Sequence, residues 1–140
     1  MQNEKIKITS PVKSIFTYVN QAPVLTEDKY EIQGNLLVVD LANADLLASA
    51  GDSVLIENDM LEKKILVART SSSEFSVIAG YCTHRNKALK YDPYQNNFCC
   101  SSLGNTRFDP EGNPSGFLTK KSVKSYDYEI ANNSLIINLY

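Results

Sequence analysis

The sequence contains no tryptophan and a single histidine, His84, in 140 residues. A lone imidazole excludes any centre that needs two histidines from one chain. Cysteine is scarce and unevenly placed, at Cys82, Cys99 and Cys100. An odd count with two cysteines adjacent is a poor disulfide framework. No apolar stretch approaches the roughly 18–20 residues that a membrane-spanning helix needs, and Met1 to Ile8 lacks the apolar centre of a signal peptide. Location stays open between the cytoplasm and export after loss of a leader or anchor segment. An excess of charge is also missing. Lys and Arg number 14 against 16 Asp and Glu, a net charge of −2, and the basic residues are dispersed. That pattern excludes nucleic acid as the expected partner.

What is present is ordinary for a globular domain: 43% apolar and 21% charged residues. A chain of this length suits one domain able to bury its own core. Residues 1–34 are polar and irregular, with a short alternating stretch at Lys5-Ile6-Lys7-Ile8-Thr9, and are read as an extended arm with room for one edge strand. From Asn35 the texture changes. Asn35 to Leu41, Ser53 to Glu57, Lys64 to Thr70 and Glu74 to Ala79 are predicted strands by their apolar runs and β-branched residues. Ala42 to Ala50 has Leu46, Leu47 and Ala50 at helical spacing, with Asn43 or Asp45 to cap it, which predicts one short helix. Tyr126 to Ile130 and Ser134 to Leu139 predict a hairpin around Ala131-Asn132-Asn133. Residues 80–117 differ from both flanks. They hold every cysteine, the histidine and several tight-turn signals such as Asp109-Pro110-Glu111-Gly112-Asn113.

Cys82 and His84 are one residue apart, 15 residues separate His84 from Cys100, and Leu103-Gly104 follow. This order resembles the Rieske iron–sulphur domains, whose signature is C-x-H, about fifteen to seventeen residues, then C-x2-H-G. The likeness extends to Cys82-Thr83-His84-Arg85, Lys90-Tyr91-Asp92-Pro93, Arg107-Phe108-Asp109, Glu111-Gly112, Ser115-Gly116 and Lys124-Ser125-Tyr126. It covers residues 35–139. The resemblance implies an all-β fold: a small antiparallel Rieske-like (ISP-domain) sandwich or barrel. Its base would be 35–79 and 118–140, with a rubredoxin-like cluster-binding subdomain inserted at 80–117. It also implies one-electron transfer to a redox partner protein or within a larger complex, with no substrate chemistry of the chain's own. Oligomeric state is left open.

The departures from the pattern concern the ligands. By the resemblance, Cys82 and Cys100 would hold one iron and His84 the other, while the place of the second histidine is occupied by Leu103. Lys87 and Ser102 stand where high-potential members carry a disulfide, Gly104-Asn105 replaces Gly-Ser, and Phe117 replaces a shielding-loop proline. Three fates are open for the site. One is a 2Fe–2S cluster with an unusual fourth ligand, from water, Asn105, Cys99 or another chain. Another is mononuclear zinc on Cys82, His84 and Cys100, with Cys99 or water as the fourth ligand. The last is no metal, with Leu103 filling the vacated space and Cys82 and Cys100 either paired or reduced; this is the leading expectation. Cys99, next to Cys100 on a predicted strand, is expected to face the other way as an ordinary buried thiol.

Overall fold

A computed structural model describes residues 22–81, 88–100, 107–115 and 121–140. The expectations for Lys5 to Thr9, Cys82, His84, Lys87, Ser102, Leu103, Gly104, Asn105 and Phe117 fall outside these residues. Among the described residues the chain forms eleven strands: β1 (Tyr30–Gln33), β2 (Leu36–Asp40), β3 (Ser53–Ile56), β4 (Ile65–Arg69), β5 (Phe75–Ala79), β6 (Leu89–Asp92), β7 (Asn97–Cys100), β8 (Arg107–Phe108), β9 (Pro114–Ser115), β10 (Tyr128–Ala131) and β11 (Ser134–Asn138). They make three antiparallel sheets, in the orders β10-β11-β2-β1, β3-β4-β5 and β9-β8-β7-β6. The all-β architecture expected from the sequence is the one observed.

The base is made by the first two sheets. In β2 the side chains alternate: Leu37 and Val39 are buried, and they pair with Ile137 and Leu135 of β11, which are buried too. A strand with one covered face follows this two-residue period. Ile65 to Ala68 on β4 and Phe75 to Ala79 on β5 are buried without alternation. Such continuous runs belong to strands covered on both faces. The hairpin between β10 and β11 turns on Asn132 and Asn133, both at positive φ, 52° and 62°. Asparagine tolerates this conformation better than most residues, and a two-residue turn of this hand matches the strand twist.

The short helix predicted over Ala42 to Ala50 shrinks to one 3-10 turn, Asp45–Leu47, with Ala44 at the N-cap and no side-chain cap. Its neighbours take the remaining residues. Asp40 accepts from the Ala42 amide and the Asn43 side chain, while Asp52 accepts from the Ser49 amide, so turns close in from both sides. Arg69 Nη1 then donates to the Leu47 carbonyl at 3.0 Å, an acceptor that a longer helix would have used internally. Leu47 alone of the turn is buried.

Part of the segment assigned in sequence to the arm packs on the base. Ala22 and Leu25 are buried, Val24 pairs in parallel with Leu55, and the Leu55 amide and carbonyl bond Pro23 and Leu25 at 2.8 and 2.9 Å. After a 3-10 turn at Glu27–Lys29, β1 joins β2 as an edge strand. The sequence is mostly polar here; Ala22 and Leu25 face inward, while Val24 stays exposed.

Candidate functional site

The insert is built on the hairpin of β6 and β7. Leu89 pairs with Cys100 at one end, and Asp92 pairs with Asn97 at the other. At the turn, the Asp92 carboxylate accepts from the Tyr94 and Gln95 amides, and Asn96 adopts a φ of 52°. Tyr91 donates to Asn96 across this turn at 2.7 Å. Arg107, arriving on β8, donates from Nη1 to Asp92 at 3.1 Å and to Asn97 at 2.6 Å. One guanidinium therefore ties β8 to both strands of the hairpin.

Beneath this polar layer, Phe98 and Phe108 pair across β7 and β8 and are fully buried, together with Leu89. They belong to the same core as the base. The Arg107-Phe108-Asp109 and Glu111-Gly112 pieces singled out in sequence are thus structural. Phe108 fills the core. Asp109 accepts from the Glu111 and Asn113 amides and shapes the turn into β9. Gly112, at φ +88°, lies so close to the next segment that a Cβ would stand 2.3 Å from the Val123 carbonyl oxygen. The Val123 amide donates to Gly112 at 2.8 Å, and Ser76 Oγ, from β5, donates to the Pro110 carbonyl. The insert is latched to the base at this turn.

Strand register then decides where the chemistry-bearing segments attach. Tyr81 bridges Ala88, and the Leu89 amide donates to Gly80 at 2.9 Å, so residues 82–87 leave and return at the Leu89–Cys100 end. Residues 101–106 leave from Cys100 and return at Arg107, which pairs with Cys99. Residues 116–120 leave from Ser115, which also pairs with Arg107. The flanks of all three segments therefore gather at one end of the small sheet. Nothing local in sequence marks this convergence; it follows from the antiparallel register.

Of the residues proposed as ligands, Cys100 and Cys99 are described. Along β7 the burial alternates, with Phe98 and Cys100 on the core side and Asn97 and Cys99 on the other. Cys100 is fully buried. Cys99 is half-buried rather than buried, carries no disulfide and sits opposite Arg107. Burial pushes the Cys99 thiol above its ordinary pKa, with the Arg107 charge opposing the shift. Cys82, His84 and Leu103 lie outside the described residues.

Beside Tyr81, a hollow of about 860 Å³ opens between the 57–64 loop and residues 121–124. Lys64 donates to Glu57 at 2.8 Å and lies 5.4 Å from the Tyr81 ring centre. The Glu57 carboxylate first, and Tyr81 after it, hold the Lys64 ammonium above the usual lysine range. The hollow was invisible in sequence, since its walls come from segments about sixty residues apart and carry charges of both signs.

The fold defines a class: a small all-β domain of three antiparallel sheets. A family profile described as the Rieske [2Fe-2S] domain matches residues 37–127, more than half of the sequence. The chain belongs to this family. Solved structures agree on the fold. The ferredoxin of carbazole 1,9a-dioxygenase from Nocardioides aromaticivorans IC177 superimposes with a TM-score of 0.59 at 18% identity, covering 74% of this chain and 95% of that one. A complex of reduced oxygenase and oxidized ferredoxin in carbazole 1,9a-dioxygenase gives 0.63 at 14% identity, covering 76% and 95%. The plasma membrane Rieske protein PetC3 of Synechocystis PCC 6803 gives 0.51 at 14%, covering 60% and 85%. No curated protein matches the sequence.

The family normally binds a 2Fe–2S cluster. Of the four positions aligned by the resemblance, Cys82, His84 and Cys100 carry a donor atom and Leu103 carries none. Cys99 faces the opposite way to Cys100 along β7. No helix among the described residues is long and apolar enough to cross a membrane.

Proposed function

We propose that this Rieske-family chain does not assemble the conventional two-cysteine, two-histidine cluster. It serves as an interaction or structural module, presenting the end where residues 82–87, 101–106 and 116–120 attach to a partner protein. The observation that carries this reading is the donor count. Leu103 has no lone pair, and His84 is the only imidazole in the chain. An outer iron held by one histidine would be open to water and labile.

A second reading is an electron carrier with an atypical fourth ligand, and one observation favours it: the flanks of all three loop segments still converge on one end of the insert. In that case Cys82 and Cys100 hold one iron, His84 the other, and a redox protein or larger complex is the partner. The fold likeness to a dioxygenase ferredoxin, and to one recorded in a complex with its oxygenase, fits this alternative. Mononuclear zinc on Cys82, His84 and Cys100 ranks third, since Cys99 is turned away.

Iron, zinc and acid-labile sulfide are to be measured on protein purified without oxygen, and again after anaerobic reconstitution. The interaction reading expects colourless protein with no stoichiometric metal in either state. Broad visible absorption with about two irons and two sulfides per chain would overturn it in favour of the carrier. Leu103→His, reconstituted in parallel, is expected to retain more iron than the parent. Unchanged iron content would place the deficit in the surrounding loops as well.

A further inference from the structure

We infer that the fold of the insert is uncoupled from metal: the chain itself, and no ion, holds the strands that carry the ligand-bearing segments. The inference deepens the proposed function, because a module working without a cluster must keep its presenting end in shape without one. Metal drives folding where a chain cannot build a core of its own. Here the insert has three supports that involve no ligand position. Leu89, Phe98 and Phe108 are continuous with the core of the base. Arg107 bonds Asp92 and Asn97 and so locks three strands together. The turn at Asp109 to Asn113 is latched to the base from two sides, by Ser76 to Pro110 and by Val123 to Gly112.

The segments themselves are short. Residues 82–87 close between Tyr81 and Ala88, which already pair, and residues 101–106 close between the neighbouring strands β7 and β8. The residues flanking both segments are paired in the strand register itself. A metal would then occupy a preformed frame rather than create one.

The test is amide hydrogen exchange on the full chain after any metal has been stripped with chelator under reducing conditions, together with the same measurement on a Cys82→Ser/His84→Ala variant. The amides of Leu89 and Val123, bonded to Gly80 and Gly112, are expected to exchange more than about 100-fold more slowly than in the unfolded chain. Protection below that level at these amides, in either sample, overturns the inference. Metal content of the protein as purified tests the proposed function separately. Iron-loaded protein whose insert stays protected after stripping sinks the function and leaves this inference standing. Metal-free protein with an unprotected insert sinks this inference and leaves standing only the absence of the cluster.

Discussion

The base and the insert are held together by different means. In the base, β4 and β5 contribute ten positions, all buried but Arg69 at the end of β4. Almost any side chain of the right volume and polarity would serve there. In the insert, strands of two to four residues cannot bury enough by themselves. Individual polar groups therefore take on named tasks: Arg107 crossing three strands, Asp109 closing a turn, Gly112 permitting a close approach. Tolerance to substitution should accordingly be broad in the base and narrow in the insert, apart from the two phenylalanines that join them.

That junction is where the comparison is most easily broken. Phe108 has no exposed surface and lies in one core with Leu66 of β4. Phe108→Ala is expected to cost about 3–5 kcal/mol, as large aromatic truncations do, and to lower a single cooperative transition. Denaturant unfolding followed by both far-ultraviolet dichroism and tyrosine fluorescence checks this. Two separated transitions would show that base and insert are independent units. Gly112→Ala comes next. The new methyl would have to displace the Val123 carbonyl, and alanine at φ +88° is strained whatever space is made. A loss of about 2–4 kcal/mol is expected. A change below about 0.5 kcal/mol would mean that the turn can swing away from Val123 freely.

The two regions were also legible to different degrees in the sequence. The base strands followed from hydropathy, because burial in a sheet imposes either alternation, as at Leu37 and Val39, or an unbroken apolar run, as at Ile65 to Ala68. The helix predicted over Ala42 to Ala50 is a single 3-10 turn, Asp45–Leu47, for an equally physical reason. Helical spacing of Leu46, Leu47 and Ala50 cannot reveal that Asp40, Asp52 and Arg69 will take the local backbone groups. Pairing of Val24 with Leu55 was hidden too, since a three-residue bridge leaves almost no periodic trace. In the insert, hydropathy says little, and the resemblance of Cys82-Thr83-His84-Arg85 and Arg107-Phe108-Asp109 to Rieske sequences supplied the fold. It could not supply the tasks of these residues. Arg107 and Asp109 sit inside a cofactor-family pattern, yet in the structure their contacts are with turns and strands.

Arg107 gives the smallest effect and the sharpest contrast. Its ion pair with Asp92 spans 3.1 Å, with the two side chains 29% and 21% exposed, so solvent screens it only in part. Arg107→Met keeps most of the side chain's length and apolar packing while removing the charge and its donors. The loss should be about 1–2 kcal/mol, in the range of a hydrogen bond to a charged group. Asp92 keeps its bonds from the Tyr94 and Gln95 amides, so its carboxylate is not left stranded. What distinguishes this substitution from those above is where the loss falls. Arg107 Nη1 touches only insert residues in its bonds to Asp92 and Asn97, and the base carries no bond to it among the described residues. Faster amide exchange should therefore be confined to β6, β7 and β8, with β3 to β5 unchanged. Equal acceleration in both regions would mean that the guanidinium supports the whole domain, and that the division between an apolar base and a polar-stapled insert does not hold.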